Sequence, residues 1–354
     1  MNDPQAGAEA LARATALAAE HYLGRAALEH DFRRVFARHW QLVGRASQLR
    51  DPGDHIVATV GRTPVLVVRH PEDGLVALAN VCRHRAGPIA TCDGRGARTL
   101  HCRYHGWTYD LGGQLRHAPE MAGAEDFDPS SIRLPRFRAA AWQGLVFVSL
   151  DADTPPLQEV YAGIAARIAP IDLSTMEFAR RDTYDIACNW KVYVDNYLEG
   201  YHVPYIHPGL AKVVDYAVYH TELAPWHSLQ TSPLRNNEGI YGDGDVFYYF
   251  VYPNVMLNIM PGRLQVNRIL PNGPDRCLVE FDYYYAPDDA ARARAERDRE
   301  FSEEIQQEDV DICEAVQRGL ASGAYASGRL CPKREAGLWH FHELLRRDYA
   351  RPGR

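Results

Sequence analysis

Two closely spaced Cys/His pairs constrain this chain more than any other feature. Cys82-Arg-His84 and Cys102-Arg-Tyr-His105 are separated by seventeen residues, giving C-x-H-x17-C-x2-H. Each pair can present both side chains from one tight loop. Two such loops facing each other make one site with two thiolates and two imidazoles, a donor set suited to zinc or to an iron–sulfur centre. The pairs sit among short β-rich runs, HIVATV, PVLVVR and LVALANV before them and GLVFVSL after them. GRT and HPEDG separate the first three as turns. Residues 40–150 therefore read as a small all-β domain built around the two loops.

Zinc fingers more often group their thiolates in one pair and their imidazoles in the other. Here each loop supplies one of each, which is what a Rieske [2Fe–2S] cluster needs, with two Cys on one iron and two His on the other. A structural zinc site is the competing reading. Of the seven cysteines, the five outside the motif read as loop or buried thiols. An odd count, with no basic and apolar leader in MNDPQAGAEA, argues against a disulfide framework and for a cytoplasmic protein. No run of 18 apolar residues predicts a membrane span. The net charge of -7 argues against nucleic acid or an anionic membrane as a partner.

The flanking regions differ in pattern. Residues 1–39 read as a helical lead-in. Residues 151–354 read as an α+β domain, with a helix over residues 190–201, aromatic-rich strands between residues 246 and 285, and a long helix over residues 288–320. The helix at 190–201 leads into a second cluster, Glu199-x-x-His202-x4-His207. Glu199 and His202 fall on one face of a helix that continues through them. His207 would be rotated away by roughly 140° at 3.6 residues per turn, and Pro204 is expected to kink the helix and bring it back. In the long helix, Phe301, Ile305, Ile312, Val316 and Leu320 mark an apolar stripe that passes through Asp309, with Glu308 at its edge and Asp311 off it. A core-facing carboxylate needs a partner or a metal. Two His and one carboxylate, His202, His207 and Asp309, make the facial triad of non-haem Fe(II) oxygenases, with positions left open for O2. The ordinary alternative is a pair of hydrogen-bonded histidines.

Pocket residues are less defined by pattern. Tyr248, Phe250 and Tyr252 alternate on one strand face and could cage a cation, although strand aromatics usually pack. Asn258 could touch substrate, although alternation alone puts polar residues on the solvent side. Tyr201 and Tyr205 flank the triad histidines. No G-x-G-x-x-G follows a strand and no C-x4-C-x2-C run exists, so electrons from NAD(P)H should arrive only through a separate reductase, with or without a ferredoxin.

The chain resembles the α subunits of Rieske non-haem iron ring-hydroxylating oxygenases. The resemblance rests on the motif from Cys82 to His105, the E-x-x-H-x4-H motif from Glu199 to His207, and the E-D-x-x-x-C-E run from Glu308 to Glu314. It implies a helix-grip catalytic domain of antiparallel sheet and helices, a homotrimer, and electron transfer from the cluster of one subunit to the iron of its neighbour. Glu199 matches the acid that bridges a Rieske His, here His105, to an iron His, here His202. Glu at that position, and the surrounding NYLEGYHVPYIHPGL, are similar to the branch acting on quaternary ammonium substrates. The expected function is a terminal oxygenase that hydroxylates or demethylates a small organic substrate. A cis-dihydroxylating dioxygenase and a non-catalytic Rieske carrier or zinc protein are the alternatives.

Overall fold

The computed structural model describes residues 4–213, 215–231 and 246–352. The chain divides into two compact units, Phe36–Glu159 and Met1–Val35 with Val160–Arg354.

The first unit is all β. Its six-stranded antiparallel sheet comprises β1 (Gln41–Arg45), β2 (His55–Val60), β3 (Thr63–His70), β4 (Gly74–Ala79), β8 (Arg136–Trp142) and β9 (Leu145–Ser149), in the order β1-β9-β8-β4-β3-β2. A small sheet of β5 (Leu100–His101), β6 (Thr108–Tyr109) and β7 (Leu115–His117) carries the second Cys/His loop. The apolar run in β3 is continuous because both its faces are covered. Val65 and Val67 pack with Ile56, Val146 and Val148. Leu66 and Val68 point the other way, into a cluster that contains Cys82, Cys102, Trp107 and Tyr109. The same strand thus fills the core and supplies the floor of the Cys/His loops.

The second unit is α+β. Its seven-stranded antiparallel sheet comprises β10 (Glu177–Ile186), β11 (His220–Leu223), β12 (His227–Thr231), β13 (Phe247–Val251), β14 (Val255–Met260), β15 (Arg263–Pro271) and β16 (Cys277–Tyr285). The order is β10-β16-β15-β14-β13-β12-β11. Residues Tyr248, Asn258, Gln265 and Tyr283 stand opposite one another across β13 to β16 and therefore share one face. The helices Trp190–Tyr197 and Asp289–Ala321 pack over this sheet. The N-terminal segment belongs to the same unit. Buried Asp31 accepts hydrogen bonds from Trp190 Nε1 at 2.8 Å and Tyr349 Oη at 2.5 Å, and from the buried Lys191 ammonium. A buried ion pair is tolerable only when its remaining polar atoms are satisfied in this way. Among the described residues, no helix is long and apolar enough to cross a membrane.

Two expectations from periodicity need correction. The helix expected over residues 190–201 ends at Tyr197, so Glu199 and His202 do not share a helix face. Pro204 does not kink a helix between the two histidines. It occupies the first turn of a separate helix, Val203–Ile206, where its missing N–H costs nothing. Among the described residues of the long helix, Gln306, Cys313, Gln317 and Leu320 are buried, whereas Val316 is 45% exposed. Asp309 lies between Gln306 and Cys313 at helical spacing, so it faces inward on a stripe rotated from the expected one. Ile312 and Val316 line an open cavity instead.

Candidate metal centres and active-site cavity

The two Cys/His loops are built alike. In the first, the Cys82 amide donates to the Gly87 carbonyl and the Ala86 amide to the Cys82 carbonyl; in the second, Cys102 N–H donates to Trp107 and Gly106 N–H to Cys102. Gly106 takes φ +76° to close its turn, a backbone region that glycine enters without steric cost. A Cβ on Gly87 would stand 3.1 Å from the Cys102 sulfur, a contact tight enough that the sulfur or the loop would have to shift by a few tenths of an ångström. Cys82 and Cys102 are buried, while His84 and His105 are exposed with ring centroids 4.5 Å apart. The pairs thus present two sulfurs inward and two imidazoles outward. Burial, with a further push from the Cys82 sulfur, raises the Cys102 thiol above its ordinary pKa, so two thiolates here require a compensating cation.

Two neighbours of the second loop also touch these Cys and His side chains. Tyr109 Oη lies 3.3 Å from the Cys82 sulfur and accepts from Arg83 N–H at 3.1 Å. Trp107 stacks on His84 with centroids 4.9 Å apart.

The second centre assembles from two sequence-distant pieces. His202 ends the bend that follows Tyr197, His207 follows the short helix Val203–Ile206, and Asp309 comes from the long helix. His207 Nε2 is 3.2 Å from His202 Nε2 and 3.0 Å from Asp309 Oδ1, and His202 Nε2 is 3.9 Å from the same oxygen. Ligand atoms about 2.1 Å from one ion and at right angles would stand about 3.0 Å apart, close to this spacing. The protonation pattern is equally telling. His202 Nδ1 faces Glu199 Oε1 at 2.6 Å and His207 Nδ1 faces Glu308 Oε2 at 2.7 Å. In the neutral tautomer that donates each Nδ1–H to its carboxylate, both Nε2 lone pairs and Asp309 Oδ1 converge as three acceptors. Such a set needs a cation at its centre. Burial opposes a charged His207, but Asp309 and Glu308 outweigh it and raise its pKa.

Glu308 and Asn196 emerge as supports that periodicity did not single out. Glu308 orients His207, and Asn196 Nδ2 donates to Asp309 Oδ1 at 2.6 Å. Glu199 has two tasks. One oxygen holds His202 Nδ1; the other accepts from the backbone amides of Tyr201 and His202. It meets His202 through this capping turn rather than through helical spacing.

Glu199, His202, His207 and Asp309 open into a cavity of about 140 Å³ under the sheet face described above. Tyr197, Tyr248, Phe281, Asn258, Arg263 and Gln265 contribute to its walls. Tyr197 Oη donates to Asn258 Oδ1 at 2.7 Å. Asn258 does not follow the alternation rule, because the cavity, not solvent, takes the polar side of β14. Gln265 and Asn267, also polar within strands, are buried. Four other residues singled out by pattern lie elsewhere. Tyr201 and Tyr205 are 45% and 78% exposed, since the turn that aims the histidines inward aims these rings out. Phe250 and Tyr252 share the face of Tyr248 but pack on Phe341 of the C-terminal helix, with centroids 5.4 and 6.1 Å away. A second, larger cavity of about 680 Å³ reaches Glu199, His202, Asn196 and Asp195 from the side of Ile312 and Val316.

Both compact units have counterparts among known proteins. Residues 39–135 match the Rieske [2Fe-2S] domain and residues 173–351 the catalytic domain of the ring hydroxylating alpha subunit. The chain is 37% identical to the chloroplastic choline monooxygenase of Arabidopsis thaliana over 332 residues, covering 88% of this chain and 78% of that one. It is 29% identical to the carnitine monooxygenase oxygenase subunit of Escherichia coli (strain K12), covering 92% of each. Among solved structures, the quaternary ammonium Rieske monooxygenase CntA in complex with L-carnitine superposes with a TM-score of 0.85 at 25% identity, covering 99% of both chains. A naphthalene 1,2-dioxygenase shares the fold at a TM-score of 0.76 and 18% identity, covering 96% of this chain and 93% of that one.

Proposed function

The chain belongs to the α subunits of the Rieske ring-hydroxylating oxygenases, and from that premise we propose that it is the terminal monooxygenase for a quaternary ammonium compound. The family's cofactors are a Rieske [2Fe–2S] cluster and a mononuclear iron, and its electrons come from a partner reductase. In this reading Cys82, His84, Cys102 and His105 hold the cluster, and His202, His207 and Asp309 hold the iron. The observation that carries it is the convergence of two imidazole Nε2 atoms and Asp309 Oδ1 beside an aromatic-walled cavity. The overall reaction adds one oxygen atom of O2 to a substrate carbon and reduces the other to water, consuming two electrons and two protons. The cluster and iron, when bound, supply the electron delivery and O2 activation.

The chain's own residues do the remaining work. Glu308 and Glu199 fix the two imidazole tautomers so that both Nε2 atoms face inward. Asn196 holds Asp309 Oδ1 in place. Tyr197 and Tyr248 present ring surface to a cationic headgroup, the kind of contact that recognises quaternary ammonium. Glu199 lines both cavities, which suits a bridge from the iron side to His105 of a neighbouring copy, within a homotrimer. The quaternary ammonium class is favoured by the choline and carnitine monooxygenases among the relatives. A substrate panel with a surrogate reductase, read by O2 uptake and product mass, tests the reading. A quaternary amine giving an aldehyde supports it; a cis-diol from an aromatic hydrocarbon with no turnover of amines contradicts it.

A further inference from the structure

Six carboxamides line the cavity beside the triad among the described residues. Four of them use an N–H on the protein. Asn196 Nδ2 donates to Asp309 Oδ1 at 2.6 Å, Gln230 Nε2 to the Tyr197 carbonyl at 2.7 Å and Gln265 Nε2 to Asn267 Oδ1 at 3.0 Å, while Asn267 Nδ2 meets the Met256 sulfur at 3.9 Å. Asn258 and Gln306 differ, because each has its oxygen taken by a tyrosine hydroxyl and its nitrogen left over. Tyr197 Oη donates to Asn258 Oδ1 at 2.7 Å, and Tyr193 Oη donates to Gln306 Oε1 at 2.6 Å. Among the described residues, neither Asn258 Nδ2 nor Gln306 Nε2 has a partner.

The hydroxyl sets the orientation of the Asn258 amide. A tyrosine hydroxyl has one proton to give. The other acceptor near Tyr197 Oη is the Tyr249 carbonyl at 3.3 Å, longer than an ordinary O–H···O bond, whereas Asn258 Oδ1 stands at the ordinary distance. The two amides come from different walls. Asn258 sits on β14 between Tyr248 and Gln265 in the row that crosses the sheet. Gln306 comes from the long helix, three residues before Asp309.

An amide donor left unpaired in a protein wall costs free energy, and native structures leave few of them. A trimethylammonium group cannot answer such a donor, because it has no lone pair. The acceptor must then be an oxygen elsewhere on the bound molecule. Resting on the quaternary ammonium reading above, we infer that Asn258 is a specificity-determining residue whose Nδ2 donates to an oxygen on the arm of the substrate. The substrate class is a small quaternary ammonium compound that carries an oxygen acceptor, rather than a purely alkyl cation. Tyr197 is the positioning residue, since its hydroxyl holds Asn258 Oδ1 and leaves the N–H groups for the substrate.

The test is calorimetric binding to the holoenzyme without reductant, using two probe pairs of matched length and charge. Choline is set against n-propyltrimethylammonium, and (2-methoxyethyl)trimethylammonium, whose oxygen only accepts, against n-butyltrimethylammonium. The wild type is expected to bind the oxygen member of each pair about 3- to 10-fold more tightly, the net worth of one neutral hydrogen bond. Asn258→Asp keeps the shape and the acceptor for Tyr197 but has no N–H when ionised, so it should bring the ratio of the methoxy pair to one or below. Tyr197→Phe keeps the ring and should lower that ratio while leaving the affinity for the butyl probe unchanged. Equal binding within both pairs by the wild type overturns the inference without any variant and leaves the quaternary ammonium reading standing. A preference that survives in Asn258→Asp overturns the assignment to Asn258. Binding of an aromatic hydrocarbon with none of the four cations overturns both the inference and the reading it rests on.

Discussion

Glu199 holds His202 by its Nδ1 at 2.6 Å and so turns the opposite ring nitrogen toward His207. The same carboxylate lines the cavities on both sides of the histidine. The first prediction follows from this pair. Glu199→Gln has one acceptor where Glu has two; its Oε1 can still accept from His202 Nδ1–H, so the ring tautomer and iron content should be kept, at the cost of the contacts to the backbone amides of Tyr201 and His202. Coupled turnover should fall by at least about 10- to 100-fold, the usual effect of removing a group that supports a metal ligand. Iron analysis beside O2-coupled product formation checks it, and full coupled activity would remove Glu199 from the electron route.

Asp309→Ala should separate the two centres. Removing one of the three proposed ligands should abolish tight binding of the mononuclear ion, while the Cys/His loops, in a different compact unit, should keep a cluster. The expected result is a fall from about three to two iron atoms per chain, with labile sulfide and visible absorption retained.

Tyr109→Phe tests the hydrogen bond to the Cys82 sulfur, a cluster ligand in the proposed reading. A donor to a sulfur ligand stabilises the reduced, more negative state. Losing a bond worth about 1 kcal/mol should lower a one-electron potential by about 40 mV. Protein-film or dye-linked titration reads it; an unchanged potential would make Tyr109 a packing residue only.

The pattern of the sequence carried the two motifs but not their surroundings. Cys82, His84, Cys102 and His105 were legible because each pair is local, and a tight loop leaves little freedom in where its side chains go. Asp309 was reached from a stripe of which Val316 proved exposed, since periodicity cannot distinguish a core face from one lining an open cavity. The meeting of Glu199 with His202 was expected from a helix that in fact stops at Tyr197. There a capping turn, set by Glu199's own hydrogen bonds, replaces helical spacing. The support that Glu308 gives His207 was out of reach because it depends on which face the long helix covers. The same holds for Tyr201, Tyr205, Phe250 and Tyr252, whose aromatic character could not say whether they meet a cavity, a helix or solvent.

Acid sensitivity should come from His340 in the C-terminal helix. Burial, with smaller contributions from His227 and Arg347, lowers its pKa to about 4. Unfolded, it titrates near 6.5, so between about pH 6.5 and 4 the unfolded state binds the extra proton. Stability should therefore fall as pH drops through that window and level off below it. Thermal melts from pH 7 to 4 check the trend, and His340→Gln should flatten the slope whatever it does to the absolute midpoint. A slope unchanged in that variant would assign the sensitivity elsewhere.

The most direct measurement of the central claim is the stoichiometry of a reconstituted reaction, with purified chain, surrogate reductase, NADH, 18O2 and a trimethylammonium substrate. The account predicts one O2 and one NADH consumed per aldehyde formed, one 18O atom in the oxygenated product and one in water. Incorporation of both 18O atoms into an aromatic cis-diol, with no amine-dependent O2 uptake, would contradict it.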